Sequence, residues 1–477
     1  MYRKDTRTFY KVIEDTALKC PDNVAFFEDG NSYTWRESKR IIDGLCAAFS
    51  QTYGIGRYDR INLHIQNRTA DILVMCALLS MGCDVKIDTP PAGDIEIEYP
   101  GGVITMDPAS VPGYITREGE GCAVSEYDTN ESNVIIVTSG TESTPKEVFI
   151  SHYSVINHAQ NITDFMSMTC DDVAYVIPRV QHTFGFMEVL MGLVSGAASF
   201  FSKSIRFEDV LNNVYRYGIT VFSTVPTVFL GILKLPGFEP EMVKSLRVGS
   251  IAGGPYSASQ FRKIREELSI VLMATYGQTE TSAPLTFGIP GEDDIMSVGT
   301  FMDGVTGIIQ NEDGTEAERG CEGEVCVKGY NVMKGYIIDG ELHPCERDAQ
   351  GWYHTGDLGH LDEHGNLYIT GRKKDIIIRG GKNISIKKLV DAALDYPDVY
   401  QCAVVGVKDD YYGEVPCMAV CVYPQFDLDA FTEFLSGKLK KSEIPLISVM
   451  DEIPVNLNQK PDTRALKEYF TALRAKS

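Results

Sequence analysis

From Arg60 onward, short β-branched or alternating apolar runs pass repeatedly into longer stretches with helical apolar spacing. INLHIQN leads to TADILVMCALLSMG and then to CDVKID, and later ITVFSTVP leads to TVFLGILKL. Strands alternating with helices predict parallel sheets covered by helices. LRVGSIAGG, the amphipathic SASQFRKIREELS and VLMATYG continue the alternation, the last strand running into a turn at Gly277. Ligands in open α/β sheets favour such C-terminal strand ends. After Pro290 the pattern changes to short runs separated by turns at Glu312-Asp313-Gly314 and Glu363-His364-Gly365, which predicts a β-rich module. Near Arg372 it changes again. Ile384 to Leu394 predicts a helix, AVVGV and MAVCVY strands, and AFTEFLSGKLK a further helix, together a compact α+β unit of about 100 residues beginning near Lys374.

The most apolar stretch, Thr183 to Phe201, is interrupted by Glu188, three glycines and two serines, so it predicts a buried helix and no membrane insertion. At 477 residues the chain amounts to roughly three domain equivalents, enough for substantial cores. Lys+Arg 44 against Asp+Glu 66 gives a net charge of −22, which argues against broad electrostatic capture of nucleic acid or an anionic membrane. The 12 cysteines contain no C-x-x-C pair, and a chain of this size does not depend on disulfides. The first twenty residues have no signal-type apolar core, so a cytoplasmic protein with reduced thiols is expected. No internal repeat is present, which removes solenoids and propellers.

Val134-Ile-Ile-Val-Thr-Ser-Gly-Thr-Glu-Ser-Thr-Pro-Lys146 is a β-branched strand running into a hydroxyl-rich loop that ends in lysine. Such a loop offers hydroxyl and backbone donors plus one cation to a polyphosphate. It is not a Walker A loop, because Pro145 and Glu147 flank Lys146 where glycine and Ser or Thr would be needed. Read alone, it is also compatible with a polar surface turn. The segment resembles the phosphate-binding signature of the adenylate-forming superfamily, which includes acyl-CoA synthetases, nonribosomal peptide synthetase adenylation domains and beetle luciferases. Tyr276-Gly277-Gln278-Thr279-Glu280, Tyr353-His-Thr-Gly-Asp-Leu-Gly359 with Gly371-Arg-Lys-Lys-Asp375, and Asn458-Gln-Lys460 with Asp462 and Arg464 resemble that family's further motifs in the right order. The implied fold class is α/β. A large N-terminal domain (1–373) would hold two α/β sheet subdomains and a β-rich subdomain, followed by a small mobile α+β C-terminal domain (374–477) hinged at Lys374.

The resemblance implies ATP, Mg2+ and a thiol acceptor as the reactants and cofactors. Thr138, Ser139, Gly140, Thr141 and Lys146 would hold the β- and γ-phosphates, Thr279 the α-phosphate, and Glu280 the magnesium. Tyr276 and Gly277 would face adenine, with Gly253-Gly254-Pro255 as the backbone turn approaching the purine. Asp357, acceptor-only when ionised, would take both ribose hydroxyls beside Arg372. Lys460 would bridge the reacting carboxylate and the α-phosphate. Val180-Gln181-His182-Thr183-Phe184-Gly185-Phe186 resembles the acyl-pocket motif. His182 stands where amino-acid-activating members carry an aspartate, which points to an acyl or aryl acid.

Three positions depart from the family pattern: Ser143 and Glu147 around the phosphate loop, and Gln459 before Lys460. Ile386-Lys387-Lys388-Leu389 also differs from the usual helix-opening segment at the thiol-acceptor surface. Between Arg372 and Asp391 seven basic residues face two acidic ones, a patch suited to CoA phosphates or to an acidic carrier protein, or simply a solvated helix face. The expected activity is activation of an acyl or aryl carboxylic acid as acyl-AMP and its transfer to CoA, by a monomer or homodimer whose chain ends soon after Lys460 with no fused carrier domain. The alternatives are a ligase loading a separate carrier protein through its phosphopantetheine, or a nucleotide-binding regulatory protein without turnover. A luciferase-like oxidative reading has no residue that selects it.

Overall fold

The computed structural model describes residues 4–89, 93–116, 124, 126–138, 145–455 and 461–475. Two large sheets form the first part. One runs Asn31–Thr34, Val24–Glu28, Ala198–Phe200, Val173–Tyr175, and continues through parallel bridges at Val221 to Val248–Ile251, Val271–Tyr276, Thr286–Gly288 and Thr300–Phe301. The other has eight strands in the order Glu341–Pro344, Gly335–Ile338, Lys146–Ser151, Asn133–Thr138, Asp84–Asp88, Arg60–His64, Ile95–Tyr99 and Gly102–Met106. Its centre, Asn133–Thr138 beside Asp84–Asp88 beside Arg60–His64, is parallel; Asn133–Thr138 is buried over its first four residues, whereas the other two alternate, burying Val85, Ile87, Ile61 and Leu63 on one face. Helices Phe9–Lys19, Thr69–Ser80, His152–Phe165 and Thr183–Ser195 share one continuous core with both sheets.

Two expectations are adjusted by local backbone chemistry. The apolar run from Thr183 is a helix only to Ser195. Gly196 takes a left-handed conformation, φ 86°, which an L side chain rarely adopts, and the chain then re-enters the first sheet as Ala198–Phe200. ITVFSTVP does not make a continuous ladder but touches its neighbours through parallel bridges at Val221 and Thr224. No helix among the described residues is long and apolar enough to cross a membrane.

The β-rich stretch after Pro290 contributes an antiparallel four-stranded sheet, Val305–Gln310, Gly323–Gly329, Tyr353–Leu361 and Leu367–Arg372. From Ile376 a further sheet orders Lys382–Ser385, Ile376–Arg379, Gly413–Val422 and Val399–Asp409, with Leu446–Val449 added in parallel. Its two faces follow the period of two along a strand. Cys402, Val404, Met418 and Val420 pack with Leu389 and Phe431 on one side, and Ala403, Val405, Cys417 and Ala419 pack with Leu466 and Phe470 on the other. The helix expected from Ile384 starts at Ile386, because the Ser385 side chain caps it by accepting from the Lys388 N–H, leaving Ile384 in the preceding strand.

Candidate active site

The strand Val271–Tyr276 ends at the rim of a cavity of about 1550 Å3 that the large sheets, the antiparallel sheet and the C-terminal unit line together. Strand-end placement is the position the βα grammar predicts for a ligand. Tyr276 and Asp357 meet there. The Tyr276 hydroxyl donates to Asp357 Oδ2 at 2.6 Å, and Arg372 Nε lies 2.6 Å from Oδ1. Asp357 and Arg372 are opposite one another in the ladder between Tyr353–Leu361 and Leu367–Arg372, so sheet register delivers the ion pair. The Asp357 side chain is 3% exposed. Burial raises its carboxyl above the usual range, and Arg372 and the Tyr276 hydroxyl pull it back. Each carboxylate oxygen retains a further lone pair, which is what two vicinal hydroxyls require.

Gly277 begins the next turn, and a Cβ there would stand 2.8 Å from Pro284 Cα and Leu285 N, so the residue's lack of a side chain permits the close approach. Gln278 holds the turn to the antiparallel sheet through Nε2 to the Thr355 carbonyl, 3.3 Å. Thr279 Oγ1 is 2.9 Å from Thr183 Oγ1, and Glu280 Oε1 accepts from the Tyr336 hydroxyl at 3.0 Å. Thr183 and Tyr336 therefore position two residues read from the motif. Gly253, φ 77°, Gly254 and Pro255 follow the strand Val248–Ile251 and line the same cavity.

Thr138 and Lys146 lie opposite each other at the ends of antiparallel neighbours. The Lys146 ammonium sits 5.3 Å from the centre of the Tyr336 ring, and both residues line the cavity. Glu147 is paired with Lys86 at 2.8 Å. Ser139, Gly140, Thr141 and Ser143, together with Gln459 and Lys460, lie outside the described residues. On either side of Gln459 and Lys460 the chain is paired: Val455 bridges Pro461, and the Asp462 N–H donates to the Pro454 carbonyl at 2.8 Å. Asp462 then caps the last helix by accepting from Arg464 N and Ala465 N, and Val455 lines the cavity.

His182 precedes the helix Thr183–Ser195, and the loop before it is held by Asn67, which accepts from Val180 N at 3.0 Å and donates to the Pro178 carbonyl at 2.8 Å. Gly185 makes this join possible, since a Cβ there would fall 2.3 Å from the Arg179 carbonyl oxygen and 2.4 Å from that of Pro178. Those obstacles are backbone. Gly185→Ala is expected to destabilise the fold by about 1–3 kcal/mol and to displace His182; an unchanged melting temperature would contradict this packing account.

Farther along the helix, Phe184, Met187, Glu188 and Met191 reach the cavity. Glu188 is 2% exposed, and burial pushes its carboxyl up to about 8 against the pull of the Ser223 hydroxyl. Lys234 also lines the cavity and reaches the C-terminal unit, its ammonium 3.1 Å from the Tyr400 ring centre and 4.3 Å from that of Tyr423. Among the basic residues after Arg372, Lys373 pairs with Glu324, Lys387 with Asp391 and Lys388 with Glu443. Lys374 sits in the turn between Leu367–Arg372 and Ile376–Arg379 and lines the cavity.

Comparison with known proteins sets this arrangement in context. Residues 93–337 match the family of AMP-binding enzymes. The human mitochondrial medium-chain acyl-CoA ligase ACSF2 is 32% identical over 346 residues, 69% of this chain and 56% of that protein; the chain thus spans little more than half the length of that curated relative. The 2-succinylbenzoate–CoA ligase of Bacillus pumilus is 27% identical over 94% of this chain and 96% of its own. Among solved structures, ATP-bound MatB from Rhodopseudomonas palustris superposes with a TM-score of 0.84 at 22% identity, covering 98% of this chain and 100% of its own. Family match, fold and the ordered motifs agree: the chain belongs to the AMP-binding enzyme family, the adenylate-forming superfamily that its motifs resemble.

Proposed function

We propose that the chain is an ATP-dependent acid–thiol ligase that activates a carboxylic acid as its acyl-adenylate and passes the acyl group to CoA. The observation that carries this reading is the cluster of Tyr276, Asp357 and Arg372 in one cavity with Thr279, Glu280 and the largely apolar compartment beyond His182. A carboxylate is a poor electrophile, so its oxygen must first become part of a leaving group. Attack of that oxygen on the α-phosphorus of ATP forms the acyl-phosphate bond and expels pyrophosphate with the bonding electrons. Attack of the CoA thiolate on the acyl carbon then forms the thioester and expels AMP. The kinship with CoA ligases supports this order of reactants.

In this reading Asp357, kept in place by Tyr276 and Arg372, orients the ribose, and Thr279 and Lys146 meet the phosphates. Glu280 lines the cavity with one oxygen engaged by Tyr336 and suits a hard cation. Magnesium bound there would neutralise phosphate charge. We assign 1–373 to acid and nucleotide binding and 374–477 to a unit that turns about Lys374 between the two steps. No feature of the partly paired basic run favours a carrier protein over CoA.

The reading is tested by measuring pyrophosphate release from ATP with fatty, aromatic and amino acids, with and without CoA. Acid-dependent release followed by CoA thioester is the expected result, and Lys460→Ala is expected to slow the first step about 10²-fold by removing preorganised charge. ATP binding with no acid-dependent release from any acid would defeat the ligase reading. Full adenylation by Lys460→Ala would remove that lysine from the mechanism.

A further inference from the structure

We propose that Glu188 is a specificity-determining residue, selecting a carboxylic acid whose tail carries an uncharged hydrogen-bonding group: a hydroxyl, keto or amide function. The inference rests on the ligase reading and narrows its substrate class. On the helix Thr183–Ser195, Phe184, Met187 and Met191 accompany Glu188 on the face that lines the cavity. Val228 and Leu230 of the helix Pro226–Leu233 line it too. Within this apolar surround Glu188 is 2% exposed. The Ser223 hydroxyl is the polar neighbour that works against the burial of its carboxyl, and Oε2 is buried with no hydrogen-bond partner among the described residues.

A buried polar atom without a partner is costly, and native proteins rarely keep one without a use. Burial holds the carboxyl mainly protonated at neutral pH, which gives it one O–H to donate and oxygens that accept. A hydrocarbon tail placed against it would leave those capacities unmet, whereas a hydroxyl, keto or amide group meets them. A second carboxylate on the substrate would bring two acidic groups together in a site that disfavours charge. An ammonium would force Glu188 to ionise there. The uncharged polar tail is the chemistry that matches the site as it stands.

The test uses the full chain and pyrophosphate release from ATP, with acids offered as pairs of equal length, one a plain hydrocarbon or unsubstituted aryl acid and the other bearing the polar group. The wild type is expected to prefer at least one polar member by roughly tenfold or more in kcat/KM. Glu188→Gln, similar in size and able to donate and accept, should keep that preference. Glu188→Leu should reduce it to about twofold or less while still turning over the hydrocarbon partner, which shows the site intact. A wild-type preference for hydrocarbon or ammonium-bearing acids, or an undiminished polar preference in Glu188→Leu, would overturn the assignment. Pyrophosphate release with other acids would persist in those cases, so the ligase reading would survive. Silence with every acid would instead remove the ligase reading and this inference with it.

Discussion

Asp357→Ala is expected to lower kcat/KM for ATP by roughly 10³-fold, from the loss of two hydrogen bonds between ribose hydroxyls and a charged acceptor. The structure gives the substitution a second consequence. Arg372 Nε lies 2.6 Å from Asp357 Oδ1, and the Tyr276 hydroxyl 2.6 Å from Oδ2. Removing the carboxylate strands both donors. Arg372 is half exposed and can turn to water, so its loss of partner is mild; Tyr276 has burial as the leading cause of its raised pKa and leaves a phenol without its acceptor. Asp357→Asn separates the effects, since an amide can still accept from Tyr276 but carries no charge. Tight ATP binding by Asp357→Ala, measured calorimetrically, would place the ribose elsewhere. Weak binding by Asp357→Ala with partial recovery in Asp357→Asn is the expected pattern.

The sheets were legible because their strands are short, β-branched and punctuated by turns. Arg60–His64, Asp84–Asp88, Val248–Ile251 and Val271–Tyr276 all fall within runs that periodicity marks out. Periodicity could not place the end of the apolar helix at Ser195, since Ala197 to Phe201 is as apolar as what precedes it and only the left-handed Gly196 separates them. The site was legible to the extent that its residues sit in short ordered motifs. Tyr276, Thr279 and Glu280 are adjacent in sequence, and Asp357 and Arg372 lie in one hairpin whose register pairs them. What motifs cannot contain is the support that arrives from elsewhere. Thr183 reaches Thr279 from 96 residues away, and Tyr336 reaches Glu280 from 56; neither contact has a local signal. Sequence alone leaves the basic run after Arg372 open between a docking surface and a solvated face, because two of its pairing partners, Glu324 and Glu443, are distant in sequence. Glu188 did carry a signal, as the lone ionisable group in an apolar helix, a pattern that points to a buried charge with a function as readily as to an interruption.

Glu188 is also expected to impose a pH dependence on stability, and Glu188→Gln isolates it. Its carboxyl is raised from 4.5 to about 8 by burial, with no charged neighbour contributing to the shift. The folded state therefore binds this proton more tightly than the unfolded chain does. Below about pH 4.5 the group is neutral in both states and costs nothing through ionisation. As pH rises, the unfolded chain ionises first, so stability falls until the folded carboxyl also ionises near pH 8, and then the slope vanishes. At ~1.4 kcal/mol per pH unit, the interval amounts to roughly 5 kcal/mol of stability lost between acid and mildly alkaline solution. Asp71, raised to about 6 by burial despite its pairing with Arg68, bends the wild-type profile in the same direction, as do other carboxyls. All of these remain in Glu188→Gln and cancel in the difference. The measurement is the unfolding free energy of both proteins by urea denaturation from pH 5 to pH 8.5. The advantage of the glutamine variant should grow with pH from pH 5 and level off once the pH passes about 8. A difference that stays flat would mean that Glu188 ionises in the folded protein at its ordinary pKa, in which case it meets the substrate as a carboxylate and the neutral hydrogen-bond donor assigned to the acyl compartment does not exist.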